Sequence, residues 1–245
     1  MSFTNDERDK MQPEIKARTS LPGLALALLA LQILISIGAL PFLPPIVPIH
    51  WNAAGQADQY ASKWVNTLLF PGLGIFIYLL LRYASAIGPR LGSHAGNIAN
   101  AHVRAILQVT LLLFVLTVQL LVTVVSLGVL VDFALVMDLA LSVLFIVIGN
   151  YLGKVRRNFW LGIRTPWSLT NSVVWERTHR LGGWLFVAVG LLGILCSFIP
   201  ALRLWGLPVL IIAVSVFLYL YSYIYYQRQT RSGHEPLAPP FDEDN

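Results

Sequence analysis

Six long runs of apolar residues, separated by shorter polar connections, organise the chain. Hydrocarbon offers no hydrogen-bond partners to an open backbone, so a segment that crosses it must be helical, and about 20 mostly apolar residues are enough to span it. The runs that meet this length lie at 21–43, about 65–81, about 105–131, about 133–152, about 181–200 and about 204–226. The pattern predicts an all-α integral membrane protein, a six-helix transmembrane bundle.

Composition agrees with this class. Apolar residues make up 56% of the 245 residues and charged residues only 12%, whereas soluble domains carry about 25% charged residues. The single cysteine, Cys196, lies inside an apolar run and has no partner for an intramolecular disulfide. No Cys/His cluster with zinc-ligand spacing occurs in the sequence. We therefore expect no metal site and no cofactor.

Basic residues are distributed very unevenly between the connections. Fifteen of the 17 lysines and arginines lie in the N-terminal tail, in the 82–104 and 153–180 connections and in the C-terminal tail. The other two, Lys63 and Arg203, lie in connections on the opposite side. Because basic loops stay in the cytoplasm, this asymmetry predicts that both termini are cytoplasmic. The positive charge then faces anionic lipid, so no direct contact with nucleic acid is needed to explain it.

The six runs also divide the chain. We expect the first run to be a retained membrane helix rather than a cleaved signal peptide, because its apolar core is long and about 20 mostly polar residues precede it. The expected segments are a disordered cytoplasmic tail at 1–20, the first two helices at 21–81 with an outer loop at 44–64, a cytoplasmic loop at 82–104, four helices at 105–226 with an interfacial cytoplasmic segment at 153–180, and a disordered tail at 227–245.

The outer loop combines prolines, a turn signal and three titratable groups. Four prolines in 41–48 end the first helix and favour extended polyproline geometry. The sequence "NAAG" that follows is typical of a turn in which Gly55 takes positive φ. His50, Asp58 and Lys63 are too few and too widely spaced to indicate a metal site or a catalytic pair. The loop is most simply interpreted as a rigid cap on the outer helix ends.

The 153–180 segment carries a helix-start signal, with Thr165 as N-cap and Pro166 at the first helical position. We expect that helix to continue into the fifth span, where Trp175, Thr178 or His179, and Gly182 would share a face with Asn171. The segment can be an interfacial anchor, through Trp160, Trp167 and its arginines. A catalytic role would need a nucleophile beside a base, but Thr178 and His179 are adjacent in sequence, and such neighbours on a helix do not face one another. No catalytic residue is predicted.

Polar residues also occur inside the predicted spans. Gln108 and Gln119 in the third span are expected to hydrogen-bond to neighbouring helices. Asp138 lies about one turn inside the outer end of the fourth span, where an acid costs less than at the bilayer centre. It fits a hydrogen-bonded side chain at the outer rim, or alternatively part of an ion or ligand path.

Two motifs carry a resemblance. The first, around "PIHWN", comprises Pro48, His50, Trp51, Asn52, Gly55, Asp58 and Lys63. The second, around "GIRTPW", comprises Gly149, Asn150, Gly153, Asn158, Gly162, Arg164, Thr165, Pro166, Trp167, Trp175, Thr178, His179 and Gly182. Together they bracket about 40–200, and the chain resembles the SdpI-like family of bacterial membrane immunity proteins. It departs from the motif mildly at Ser168, where the family commonly has threonine.

The resemblance implies a multi-pass protein of the bacterial plasma membrane that protects against a secreted antimicrobial peptide on the outer side and docks a cytoplasmic repressor. The ligand- or partner-binding residues that it suggests are His50, Trp51, Asn52, Gly55, Asp58, Lys63, Asn150, Asn158, Arg164, Thr165, Pro166, Trp167, Trp175, Thr178 and His179. Two alternatives remain: a small transporter or channel that uses Asp138, and a membrane enzyme with His179 at the inner face.

Overall fold

The computed structural model of the protein describes residues 5–52, 55–91, 100–158 and 160–231, with only the helical backbone described for 5–20 and 84–91. In chain order the elements are helix α1 (Asn5–Ala39), strands β1 (Ile46–Trp51) and β2 (Ala57–Ser62), and helices α2 (Lys63–Leu91), α3 (Ala101–Ser126), α4 (Phe133–Leu152), α5 (Pro166–Thr170), α6 (Ser172–Ser197), α7 (Pro200–Arg203) and α8 (Gly206–Arg231).

Six of these helices are long and apolar enough to cross a membrane, which confirms the predicted number of spans. The spanning parts are Leu21–Ala39, Lys63–Tyr83, Ala101–Ser126, Phe133–Leu152, Ser172–Ser197 and Gly206–Arg231. Successive helices run in opposite directions, so the connections gather at two ends. The hairpin end holds β1, β2 and residues 127–132 and 198–205. The loop end holds residues 153–171, the N-terminal end of α1 and the C-terminal end of α8.

The structure differs from the sequence-based segments in four places. Residues 5–20, expected to be a disordered tail, continue α1 as helix, in keeping with their many helix-favouring Glu, Lys, Arg, Gln and Met residues. Helix α2 extends into the 82–104 loop as far as Leu91, and α8 extends into the C-terminal tail as far as Arg231. The remainder of that loop, 92–99, and residues 1–4 and 232–245 of the tails lie outside the described residues. The outer loop is a β-hairpin, so the fold is not purely helical.

Helices α1, α2 and α3 pack into one group. Buried Ala25, Leu28 and Leu29 of α1 meet Leu112 and Leu116 of α3 in its core. The two predicted glutamines form the expected hydrogen bonds between helices. Gln119 Nε2 donates to Gln32 O (2.9 Å) and to Ser36 Oγ (2.9 Å) on α1; Gln108 Nε2 donates to Tyr78 O on α2 (3.1 Å). Gln32 Nε2 in turn donates to Leu112 O (3.0 Å), so the α1–α3 contact is bonded in both directions.

Helices α4 and α6 approach so closely that backbone meets backbone. A Cβ added at Gly149 would lie 2.6 Å from Val187 N and 2.7 Å from Gly183 O, and one at Gly183 would lie 2.9 Å from Gly149 O. Further along the pair, a Cβ at Gly190 would lie 2.5 Å from Ser142 O. Gly183 thus admits a neighbouring backbone. Small residues let membrane helices gain van der Waals contact where hydrocarbon gives no hydrophobic drive to associate.

Gly149→Ala is expected to destabilise the fold by about 1–3 kcal/mol, because the added methyl overlaps backbone atoms that cannot rotate away. Unfolding of the detergent-solubilised protein, followed by heat or SDS titration, measures this. Gly72→Ala is the matched control, since nothing lies within 4 Å of a Cβ there. Equal stability of the two variants would contradict the close packing of α4 on α6.

Candidate functional site

The predicted outer loop is an antiparallel hairpin. Strand β1 pairs with β2 from Ile46 opposite Ser62 to Trp51 opposite Ala57, with irregular register on both sides of His50. The predicted turn is confirmed: Gly55 has φ of +74° and its N–H donates to Asn52 O (2.9 Å). Asn52 N also donates to Gln56 O (2.8 Å), and Asn52 Oδ1 accepts from Gln56 N (3.1 Å). The prolines therefore lead into a paired strand rather than free polyproline.

Aromatic stacking holds the hairpin on the bundle. The Trp51 ring lies parallel to Phe133 of α4, with 3.6 Å between ring centroids and 6° between planes. Both rings pack on a buried cluster of Phe70, Val115 and Val122, which belongs to α2 and α3. Through Trp51, the hairpin contacts three membrane helices, α2, α3 and α4.

Lys63 ties the hairpin to the end of α1. Its ammonium group donates to Leu40 O (3.1 Å), and its backbone N–H donates to Pro45 O (3.0 Å). The last carbonyls of a helix lack partners within the helix and carry partial negative charge, which a lysine at this place satisfies. Lys63, the first residue of α2, therefore connects the start of α2 to the end of α1.

His50 and Asp58 form an exposed ion pair on the hairpin. His50 Nδ1 lies 2.5 Å from Asp58 Oδ1, and the two side chains are 54% and 39% exposed. Exposed ion pairs contribute little stability. The pair is consequently available for contact with a ligand, and it is the part of the first motif that is most accessible.

A second charged group lies beside the hairpin turn. Arg203 donates to Asp132 through Nη1 (2.7 Å) and to Ser197 O through Nε (2.9 Å), while Asp132 caps α4 by accepting from Leu135 N (3.0 Å). Asp138 and Gly55 help to line a cavity of about 310 Å³ with these residues. Asp138 therefore lies at the rim of the bundle, as the sequence position indicates.

At the loop end, Thr165 and Ser168 form the predicted helix start as a full capping box. Thr165 Oγ1 accepts from Ser168 N (3.2 Å) and Ser168 Oγ accepts from Thr165 N (3.0 Å), with Pro166 in the first turn. The helix does not run on into the fifth span as expected. It stops at Thr170, because Asn171 leaves helical geometry and caps a new helix, accepting from Val173 N (2.9 Å) and Val174 N (3.0 Å).

Trp167 fastens α5 to α8. Its Nε1 donates to Ser222 Oγ (2.5 Å), and its ring meets Tyr219 and Tyr223 edge-on at 5.2 and 5.1 Å between centroids. Ser222 is fully buried and also donates toward Thr165 Oγ1 (3.3 Å). An indole N–H buried among apolar groups needs such a partner. Trp167 therefore stabilises the contact between α5 and α8 rather than lying free at the membrane surface.

His179 is the centre of the loop end. It is 1% exposed and stacks on Trp175 at 3.9 Å. Its Nδ1 lies 2.8 Å from Trp175 O and therefore carries the proton; its Nε2 accepts from Ile163 N (2.9 Å). These partners assign a neutral imidazole with both nitrogens engaged. In this arrangement neither nitrogen is free to act as a base.

Gly162 makes the contact with His179 possible. Its φ is +101°, a conformation that favours glycine, and a Cβ there would collide with the His179 ring. Asn158 shapes the preceding turn: its Oδ1 accepts from Trp160 N and Leu161 N (both 2.7 Å) and its Nδ2 donates to Arg156 O (2.7 Å). The 153–165 segment is thus folded against α6 by side chains acting as backbone partners.

Two further polar residues complete this end, and sequence reasoning missed both. Asn100 pairs with Arg156 in both directions, donating to its carbonyl (2.9 Å) and accepting from its N–H (2.8 Å). Ser222 receives Trp167 as described. The available signals were weak: an asparagine directly before α3, and one serine among the tyrosines of α8.

The structure separates the predicted residues into two sets. His50, Trp51, Asn52, Gly55, Asp58 and Lys63 lie together at the hairpin end; Asn158, Arg164, Thr165, Pro166, Trp167, Trp175, Thr178 and His179 lie together at the loop end, with Asn150 on the last turns of α4. The predicted shared face of α6 is confirmed as buried from Asn171 through Trp175, Thr178 and His179 to Gly182. Arg164 and Asn150 are exposed.

His179→Ala is expected to release the 153–165 segment and to lower the free energy of unfolding by about 2 kcal/mol or more, since Ile163 N loses its acceptor and Trp175 loses its stacked ring. Trypsin cleavage at Arg156 and Arg157, with thermal unfolding beside it, checks this. His102→Ala is the matched control, because His102 is exposed on α3 at the same end. Unchanged protease resistance of the His179 variant would contradict the assigned hydrogen bonds.

Comparison with known proteins gives a consistent result. Residues 154–226 match the SdpI/YfhL protein family, and residues 27–75 match a domain of unknown function (DUF1648). The chain is 27% identical over 175 residues to "Immunity protein SdpI" from Bacillus subtilis (strain 168), covering 71% of this chain and 80% of that protein. No solved structure matches significantly. The protein is a multi-pass membrane protein homologous to a bacterial immunity protein, and the resemblance to the SdpI-like family that the two motifs indicate is confirmed.

Proposed function

We propose that the protein is an immunity protein of the bacterial plasma membrane that protects its cell from a secreted, membrane-active peptide. The observation that carries this proposal is the similarity to an immunity protein over 80% of that protein's length. The charge distribution supports an orientation with the loop end and both termini in the cytoplasm, because fifteen of the 17 basic residues lie on that side. The hairpin end then faces the compartment from which such a peptide arrives.

The hairpin end has the properties expected of a preformed peptide-binding surface. Trp51 and Lys63 fix its position, and the turn at Gly55 is closed by its own hydrogen bonds, so little freedom remains to be lost on binding. The exposed His50–Asp58 pair and the cavity beside Asp132 offer polar contacts next to apolar rings. A peptide held there is kept at the membrane surface, away from its site of damage.

The loop end is the proposed docking site for a cytoplasmic regulator. Arg164 is exposed between the residues that fix the segment, Gly162 on one side and the capping box on the other. Signalling between the two ends would need two arrangements of the bundle to which the peptide binds unequally.

The orientation can be tested with cysteines placed at exposed positions of each end in a Cys196→Ala background. Gln56→Cys is expected to react with a membrane-impermeant maleimide in intact cells, whereas Thr170→Cys should react only after lysis. Both positions are exposed in the folded protein. Labelling of Thr170→Cys in intact cells would refute the proposed orientation.

Protection can be tested by expressing the chain in a host that is killed by a secreted, membrane-active peptide. The intact chain is expected to raise the killing concentration, and Trp51→Ala to return it toward that of the empty vector, because the hairpin loses its contact with Phe133. Trp205→Ala is the matched control, a tryptophan 65% exposed at the same end. Membrane expression is measured for each variant. Unchanged killing with the intact chain present would refute the immunity function.

The alternative function, a small transporter or channel, has one observation in its favour: Asp132 and Asp138 line the cavity at the hairpin end. Solute flux in proteoliposomes that disappears with Asp138→Asn would favour it over immunity.

A further inference from the structure

A groove lies between α4 and α6 where they approach the loop end, and it is lined in part by the second-motif residues Gly149, Asn150 and Gly153. The groove encloses about 220 Å³ and its floor is formed by Gly149, Gly153 and Gly183. Here the glycines leave room on the outer surface of the pair, while the same glycines bring the two backbones together on the inner side. The groove is therefore recessed, because the glycines that line it have no side chains to fill it.

Two cations stand at the groove. Lys154 and Arg180 are both exposed and both line it. The Lys154 ammonium lies 4.5 Å from the centroid of the Tyr151 ring. Among the residues that the structure describes, neither cation forms an ion pair, although Glu176 lies one helical turn before Arg180. The two side chains therefore place positive charge at the groove, with the exposed amide of Asn150 beside them.

An apolar stripe runs away from these cations along α6. It begins at Trp184, which lines the groove and is 74% exposed, and continues through Leu191 and Leu195, which are 53% and 62% exposed. The spacings of seven and four residues keep all three on one face of the helix. Tryptophan at the end of such a stripe is typical of the level at which lipid headgroups lie.

We propose that the groove is a binding site for one anionic phospholipid. Lys154 and Arg180 would hold the phosphate, since both donate charge-assisted hydrogen bonds to phosphate oxygens, and Asn150 adds a neutral donor. An acyl chain would follow the stripe from Trp184 to Leu195. The stripe favours a lipid over free phosphate, and the position of the site, near the end of the α4 span and within the α6 span, favours a lipid over a soluble acidic partner. The site goes beyond the proposed immunity function and does not depend on it.

The test is competition between phosphatidylglycerol and phosphatidylcholine with the same acyl chains, added to the purified full chain in detergent and read by native mass spectrometry. The intact protein is expected to retain phosphatidylglycerol preferentially. Lys154→Gln with Arg180→Gln should weaken that retention by about tenfold or more, since each basic residue near a lipid surface contributes roughly 1 kcal/mol. Lys154→Arg with Arg180→Lys keeps both charges and should keep the preference. Inorganic phosphate in excess should not displace the lipid.

Arg228→Gln with Arg231→Gln is the matched control, because it removes two charges from the same end, on α8. An equal loss in the control would overturn the proposal in favour of diffuse attraction between the basic end and anionic lipid. A preference that survives in the Lys154/Arg180 glutamine variant would also overturn it, as would displacement by phosphate alone. If the double variant yields too little folded protein, the two single glutamine variants decide the question, since both side chains are exposed.

Discussion

Hydrocarbon cannot hydrogen-bond to a backbone, and this constraint explains where almost every polar residue of the protein lies. Six helices satisfy their own N–H and C=O groups across the membrane. In the part of the chain that the structure describes, non-helical backbone lies at the two ends of the bundle, where the connections pack against helix ends. There the missing partners come from side chains: Asn158, Asn100 and His179 at the loop end, and Lys63 and Asn52 at the hairpin end.

The motif residues fall into two groups, those buried at the ends of the bundle and those that are exposed. His179, the residue of the enzyme alternative, and Trp175, one of the suggested binding residues, are buried and each forms a hydrogen bond to the 153–165 segment. The family resemblance is therefore carried largely by residues that are buried at the two ends, and only a few motif residues in the described part of the chain are exposed. His50, Asp58 and Arg164 are the main ones, and they lie on opposite ends of the bundle.

Local signals were readable from the sequence, and contacts between distant residues were not. The fourth span, the positive φ of Gly55 and the Thr165 cap each depend on a few neighbouring residues, and all three agree with the structure. The hairpin depends on pairing with 57–62, "ADQYAS", which is polar and carries no strand pattern of its own. The break at Asn171 was missed because this asparagine lies inside a run that is compatible with a continuous helix. It caps a new helix here because the preceding turn is packed elsewhere, through Trp167 on α8.

Helix α3 contacts residues at both ends of the bundle. Near its start Val103 packs with Val155 and Trp175 of the loop end, and near its finish Val122 joins the cluster beneath Trp51. It is bonded to α1 through Gln119 and Gln32, whereas an apolar cavity of about 420 Å³ lies between α3 and α4. The α4–α6 contact, made by backbone atoms at Gly149 and Gly183, leaves little room for sliding. Close-packed contacts resist continuous deformation, so a peptide-driven rearrangement would be accommodated most easily between the α1–α3 group and α4 with α6. The stacked rings of Trp51 and Phe133 cross that same boundary, which places the hairpin where such a movement would be felt first.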